Sequence, residues 1–154
     1  MDSPGTEEFE GLGENPFFLH VPPWLQAAWV GQLRHHFDFC NYQYLGYKLK
    51  RPLIELGFSL QRLGQWNGAL RRITISTRHI LEHPWESVLD TLRHEMAHQY
   101  VEEVLGHPAG SPHGEAFAHA CHLLRIDPAS TAAPGTLGKI EESSAERDKI
   151  VSRV

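Results

Sequence analysis

Residues 85–105 read WESVLDTLRHEMAHQYVEEVL and form the most regular pattern in this sequence of 154 residues. Apolar side chains recur there at every fourth position, the spacing that brings them onto one side of an α-helix. The segment contains no proline or glycine, and Gly106 with Pro108 beyond it marks the expected end of the helix. The helix is therefore expected to pack in the core through its apolar stripe, Val88, Leu92, Met96, Tyr100 and Val104.

The same helix carries His94-Glu95-Met96-Ala97-His98, an H-E-x-x-H motif. Residues four apart on a helix are separated by only about 40°, so His94 and His98 project side by side and can bind one cation. Glu95 lies about 100° further round, where it can contact a metal-bound water without ligating the metal. Because the apolar stripe anchors another side of the helix, this segment predicts a rigid metal site.

A third ligand is expected from outside this helix, because catalytic zinc usually takes three protein ligands and keeps a fourth position for water. A metzincin would have a glycine three residues and a histidine six residues after His98. Val101 and Val104 occupy those positions, so that class is excluded. A different zincin class draws a carboxylate from a following helix, and Glu115 is a candidate for that role.

A last helix is predicted to begin with Ser111 as its cap and Pro112 in its first turn. On this helix His113 shares one face with the apolar Phe117 and Cys121, which indicates that the face points inward. His113 is therefore the favoured third ligand. The other candidates remain open, namely Glu115, His107, His119 and His122.

The segments before the long helix complete the predicted architecture. From Trp24, apolar residues at every fourth position predict an amphipathic helix of about four turns. Residues 53–60, 61–66 and 71–76 are strand-like, and Asn67-Gly68 is a dipeptide typical of a two-residue hairpin turn. We therefore expect an α+β domain in which a three-stranded antiparallel meander ends before a chain break at His83-Pro84.

Three short motifs resemble those of the SprT-like, Spartan-related family of zinc metalloproteases. The most specific is the H-E-x-x-H motif followed, fifteen residues after His98, by His113-Gly114-x-x-Phe117. Leu63-Gly64-Gln65-Trp66 and Ile73-Thr74-Ile75-Ser76 are similar to two strand elements of that family. The likeness extends over residues 24–126.

This resemblance implies a small zincin-type α+β domain with an amino-terminal helix, a three-stranded antiparallel meander, the H-E-x-x-H helix and a following helix that supplies the third ligand. It also implies one Zn²⁺ per chain, bound by His94, His98 and His113, with Glu95 as the catalytic residue. Many members carry a carboxy-terminal zinc ribbon that holds DNA. The two cysteines of this sequence are too few for such a ribbon.

Length and composition indicate one folded domain, since 41% hydrophobic and 21% charged residues lie within the globular range. We expect a flexible acidic tail over residues 1–20, the metalloprotease domain over 21–126, and a linker and carboxy-terminal tail over 127–154. No apolar stretch is long enough to span a bilayer, and the acidic amino terminus does not resemble a secretion signal. With so few cysteines, reduced thiols and a cytoplasmic location are expected, without a membrane partner.

The charge distribution bears on nucleic-acid binding. The formal net charge is -5, yet residues 21–93 carry nine Lys and Arg against five Asp and Glu. A basic segment with aromatic neighbours can bind phosphates locally, so we expect weak DNA binding at low salt. The expected patch consists of Lys48, Lys50, Arg51, Arg62, Arg71, Arg72 and Arg78 beside Tyr44, Tyr47 and Trp66.

The predicted function is a zinc metalloendopeptidase acting on protein or peptide substrates, with DNA-associated proteins as a candidate class. Glu95 would take the proton of a zinc-bound water that attacks the peptide carbonyl. Residues 72–76 could pair with an extended substrate as an added strand. The main alternative is a non-proteolytic, zinc-stabilised binding module, and a third possibility is hydrolysis of a small molecule. Glu95 argues against the binding module, because a structural zinc site has no use for a carboxylate beside a water position.

Overall fold

A computed structural model describes residues 21–58, 61–106 and 113–129. The predicted tail over 1–20 and most of the predicted linker and tail, from residue 130 onward, lie outside these residues. The α+β class is confirmed. In chain order the helices and strands are α1 (Pro23–Leu45), β1 (Leu53–Gly57), β2 (Gly64–Asn67), β3 (Arg72–Ser76), α2 (Thr77–Glu82), α3 (Trp85–Glu103) and α4 (Glu115–Leu123).

The three strands form a mixed sheet in the order β1-β3-β2. Strand β3 pairs in parallel with β1 and antiparallel with β2, so the predicted antiparallel meander is wrong. Ile73 and Ile75 of β3 are fully buried, whereas every residue of β2 is at least partly exposed. The most buried strand thus takes the central place, and the short β2, which follows β1 in sequence, takes an edge.

The loop between β2 and β3 also differs from the expected two-residue turn. Asn67 lies opposite Arg72 in the sheet register, which leaves four residues in the loop. The side chain of Asn67 accepts a hydrogen bond from the backbone N–H of Leu70 at 3.1 Å, and Arg71 adopts a left-handed conformation with φ 47°. This conformation is unfavourable for a residue with a Cβ. It is offset by two hydrogen bonds from the Arg71 guanidinium to Glu103, at 2.8 and 2.9 Å.

Helices α1 and α3 pack against each other and against the sheet, with the core between them. Val88, Leu92 and Met96 are fully buried and Tyr100 nearly so, which confirms the packing of the apolar stripe of α3. Val104 lies one residue beyond the end of α3 and is half-buried. Helix α1 is longer than predicted and ends where Gly46 takes a left-handed φ of 59°.

The chain break at His83-Pro84 is confirmed, since α2 ends at Glu82 and α3 begins at Trp85. Helix α2 was not predicted. It follows β3 without an intervening loop, because the side chain of Ser76 caps it by accepting a hydrogen bond from the backbone N–H of His79. Among the residues described, no helix combines the length and the hydrophobicity needed to cross a membrane.

Candidate metal centre

Three histidine side chains meet between α3 and the turn before α4. The Nε2 atoms of His94 and His98 lie 3.1 Å apart, one helical turn from each other. The ring of His113 lies 5.7 Å from that of His94 and 5.2 Å from that of His98, measured between centroids. One nitrogen of each ring falls within 4.8 Å of the others. Two nitrogens bound tetrahedrally to one zinc ion are about 3.3 Å apart, so these three residues could hold a metal ion.

His113 takes part in this cluster from a different position than the sequence predicted. It does not lie on the last helix, because α4 begins at Glu115 with Gly114 as its N-cap. The extended conformation of Gly114, with φ -82° and ψ -164°, places His113 in a turn that leads into the helix. The predicted cap, Ser111 with Pro112, lies outside the described residues.

The other candidate ligands do not join the cluster. Glu115, His119 and His122 are exposed on or beside α4, and none belongs to the three-histidine group. His107 lies outside the described residues.

A single aromatic ring packs against all three histidines. The ring of Phe117 lies 4.4 Å from that of His98 and is stacked on it at 23°. It meets His94 and His113 edge-on, in each case with centroids 4.9 Å apart. Phe117 is only 1% exposed, so its ring is held in place by close packing and supports the three histidines from the core side. The sequence marked Phe117 as part of an inward face and of the His113-Gly114-x-x-Phe117 motif, but its contact with all three histidines was not predicted.

The cluster is buried at one end and open at the other. His94 is 4% exposed, His98 is half-buried and His113 is exposed. Burial lowers the pKa of His94 to about 3 and that of His98 to about 4, and neighbouring histidines add to both effects. Both rings are therefore neutral at pH 7, which is the form that binds a metal. A water or a substrate would reach the site from the side of His113.

Glu95 directly follows His94 in α3 and is almost fully buried. It is 6% exposed, and burial raises its pKa to about 7. The backbone N–H of Trp66, which donates to it, and the charge of Arg62 limit this rise. A carboxyl group with such a pKa can take up and release a proton near neutral pH.

Gly64 explains how strand β2 comes so close to Glu95. A Cβ atom at Gly64 would lie 2.8 Å from Cγ2 of Thr91 and 3.3 Å from Cγ of Glu95. The first distance is shorter than a non-bonded contact allows, so a side chain at Gly64 would push β2 away from α3. The glycine of the Leu63-Gly64-Gln65-Trp66 motif therefore keeps the edge of the sheet against Glu95.

A second pair of histidines, which sequence analysis missed, supports α3 from α2. The Nδ1 atoms of His79 and His83 lie 2.8 Å apart, and Nε2 of His79 lies 2.9 Å from Oγ1 of Thr91. His79 is fully buried, and burial lowers its pKa to about 4. This pair holds α2 against the turn of α3 that precedes His94.

Much of the predicted phosphate-binding patch is engaged in ion pairs. Four of its seven basic residues form ion pairs with acidic residues at 2.7 to 3.1 Å. The indole of Trp66 donates a hydrogen bond to Glu102. Lys48, Lys50 and Tyr47 are exposed. The four ion pairs are Arg51 with Asp38, Arg71 with Glu103, Arg72 with Glu55 and Arg78 with Glu82.

One known protein family matches this chain. The model of the SprT-like family matches residues 23–133, which include every helix and strand described above and all three clustered histidines. No curated protein matches the chain.

Proposed function

This chain belongs to the SprT-like family, and we propose that it is a zinc-dependent metalloendopeptidase with one Zn²⁺ bound by His94, His98 and His113. The observation that carries the proposal is a cluster of three histidines, together with a buried Glu95 that directly follows His94 in α3. A structural zinc site closes its coordination with four protein ligands, whereas the described residues bring only three together here. With the ligands that the described residues supply, a bound zinc ion would keep a fourth position for water.

The donor set fits zinc. Three neutral imidazoles are a ligand set that zinc takes in catalytic sites, whereas magnesium and calcium prefer oxygen ligands. A bound zinc ion supplies a Lewis acid that polarises the peptide carbonyl and acidifies water. Glu95 takes the proton of the attacking water on its carboxylate and then delivers it to the leaving amine. In the zinc-free protein burial raises the pKa of Glu95 to about 7, and a bound zinc ion would favour the carboxylate form that accepts the proton.

The substrate would bind along β2. The expectation that residues 72–76 pair with the substrate is wrong, because β1 and β2 already occupy both edges of β3. Of the two edge strands β1 and β2, it is β2 that lies against Glu95. An extended polypeptide added at this edge would bring a peptide bond to the histidine cluster mainly through backbone hydrogen bonds, which select little by side chain.

We expect His113→Ala to lose the bound zinc and Glu115→Ala to retain it. His113 is one of the three clustered histidines, whereas Glu115 is exposed in the first turn of α4. The two positions are only two residues apart, so the Glu115 variant is a close control for the His113 variant. Metal analysis of the purified variants, with cleavage of an unfolded protein as the activity measurement, tests this directly. Zinc loss in Glu115→Ala alone would overturn the ligand assignment. A zinc-loaded wild-type protein that cleaves neither folded nor unfolded proteins, with or without DNA, would favour the binding module.

We also propose weak, sequence-independent binding of single-stranded DNA, and DNA-associated proteins as a substrate class. The supporting feature is the exposed pair of Tyr42 and Tyr47, with ring centroids 5.0 Å apart. The exposed Lys48 directly follows Tyr47, and the exposed Lys50 lies two residues further on. Aromatic faces can stack on bases while lysines neutralise phosphates. The four ion pairs described above and the net charge of -5 are expected to keep the affinity of this surface for DNA low.

Binding of labelled single-stranded DNA is expected to fall with salt at a slope of about -1.4, the value for two neutralised phosphates, and to be largely lost near physiological salt. Lys48→Glu/Lys50→Glu should abolish it. Arg78→Glu is the control for Lys48→Glu or Lys50→Glu made singly, because it reverses one charge and Arg78 is already paired with Glu82. Arg71 and Arg72 are unsuitable, since their ion pairs join elements of the fold. Tight binding that persists at high salt, or equal loss in the control, would contradict this surface.

A further inference from the structure

Trp66 contacts helix α3 at two separate points. Its backbone N–H donates to the carboxylate of Glu95, and its indole Nε1 donates to Oε2 of Glu102 at 2.8 Å. Glu102 follows Glu95 by seven residues, which is about two helical turns or 10 Å along the axis. One residue of β2 is therefore fixed to the helix both beside the metal centre and two turns away from it.

Glu102 is held on its other side by the loop that follows β2. A Cβ atom at Gly68 would overlap the carboxylate of Glu102. The carboxylate therefore lies between the indole and the backbone of Gly68, and it fits there only because Gly68 has no side chain. Gly68 is not among the glycines with positive φ, so an alanine would suit its backbone and would act only by displacing Glu102.

Strand β2 lies at the edge of the sheet, so its position depends on its contacts with α3. It has four residues, none of them fully buried, and it pairs with β3 along one edge only. A movement of β2 would also move the backbone N–H of Trp66 that donates to Glu95. A shift of about 1 Å at a catalytic group can reduce the rate of reaction about a hundredfold.

We propose that Trp66 and Glu102 are positioning residues, whose hydrogen bond locks β2 against α3 so that the backbone N–H of residue 66 orients the Glu95 carboxylate. This inference rests on the proposed function, in which Glu95 transfers the proton. Neither side chain is assigned contact with the substrate or the metal.

The test removes the tether in three independent ways. Trp66→Phe keeps an aromatic ring but removes the donor, Glu102→Leu removes the acceptor, and Gly68→Ala displaces the acceptor. Each is expected to lower kcat for an unfolded protein substrate about five- to twentyfold with KM and zinc content unchanged. The double variant Trp66→Phe/Glu102→Leu should lose no more than either single one, because both remove the same hydrogen bond.

Two variants serve as controls. Glu102→Gln retains an oxygen that can accept from the indole, so it is expected to keep kcat within about twofold of the wild type. Glu103→Gln weakens the neighbouring ion pair with Arg71 but leaves Trp66 bound to Glu102. It should likewise leave kcat unchanged.

Hydrogen exchange at the backbone amide of residue 66 gives a readout that does not need catalysis. Exchange is expected to accelerate about tenfold or more in Trp66→Phe, Glu102→Leu and Gly68→Ala, but not in Glu102→Gln or Glu103→Gln. Unchanged exchange in the first three, or an equal loss of kcat in Glu103→Gln, would overturn the proposal. If the wild-type protein has no peptidase activity, the proposed function fails, and the exchange rates still decide whether the tether exists.

Discussion

Glu95→Gln is expected to lower kcat for peptide cleavage by about a hundredfold or more while the protein keeps its zinc. Glutamine has nearly the same shape, and its amide oxygen can accept the N–H of Trp66 as the carboxylate does. It cannot accept the proton of the attacking water. Steady-state cleavage of an unfolded protein and metal analysis of the same sample measure both effects. Unchanged kcat would remove Glu95 from the mechanism.

The same substitution is expected to stabilise the zinc-free protein at neutral and higher pH. Burial raises the pKa of Glu95 from 4.5 to about 7 in the folded state. The stability that the neutral carboxyl group contributes is therefore fully present below about pH 4.5 and is lost as the pH rises through 7. Glutamine stays neutral throughout, so Glu95→Gln should exceed the wild type by about 1 to 3 kcal/mol at pH 8.

Urea unfolding of the zinc-free proteins at pH 5 and pH 8 measures this difference. Glu103→Gln is the control, because Glu103 lies on the same helix and is far more exposed than Glu95. Equal unfolding free energies of the wild type and Glu95→Gln at pH 8 would show that Glu95 carries no burial penalty. Zinc should narrow the difference, because a nearby cation stabilises the carboxylate.

The sequence was most informative where structure depends on residues close together in the chain. The stripe of α3 and the side-by-side placement of His94 and His98 follow from the geometry of one helix, and both are found. The hairpin partners β2 and β3 are also neighbours in sequence, and their antiparallel pairing is found. Such features need no knowledge of the rest of the fold.

Features that depend on distant parts of the chain could not be predicted in the same way. The apolar pattern of β1 and β3 shows that both are strands. Their parallel pairing is a contact between segments that are not neighbours in sequence, and it depends on how the whole sheet packs against the helices. The bond between Trp66 and Glu102 joins residues 36 apart, and no local pattern marks it. His113 was favoured on the assumption of a longer helix, whereas a turn ending at Gly114 directs it to the cluster.

Phe117→Ala is expected to have the largest effect on the metal centre among changes outside its ligands. Removing a fully packed aromatic ring costs about 3 to 5 kcal/mol of unfolding free energy. Because the ring contacts all three histidines, its loss should also weaken zinc binding about ten- to a hundredfold. Competition with a zinc chelator, at a temperature where each variant is folded, measures the affinity.

Leu124→Ala separates the two effects. Leu124 is fully buried at the end of the same helix, and its truncation should cost about 2 to 5 kcal/mol with little change in zinc affinity. Phe117→Leu should lie between wild type and Phe117→Ala in stability, since it refills part of the cavity, but it removes the flat face on which His98 stacks. It should therefore still bind zinc more weakly than Leu124→Ala does. Equal zinc affinity in Phe117→Ala and Leu124→Ala would mean that Phe117 stabilises the fold without orienting the ligands.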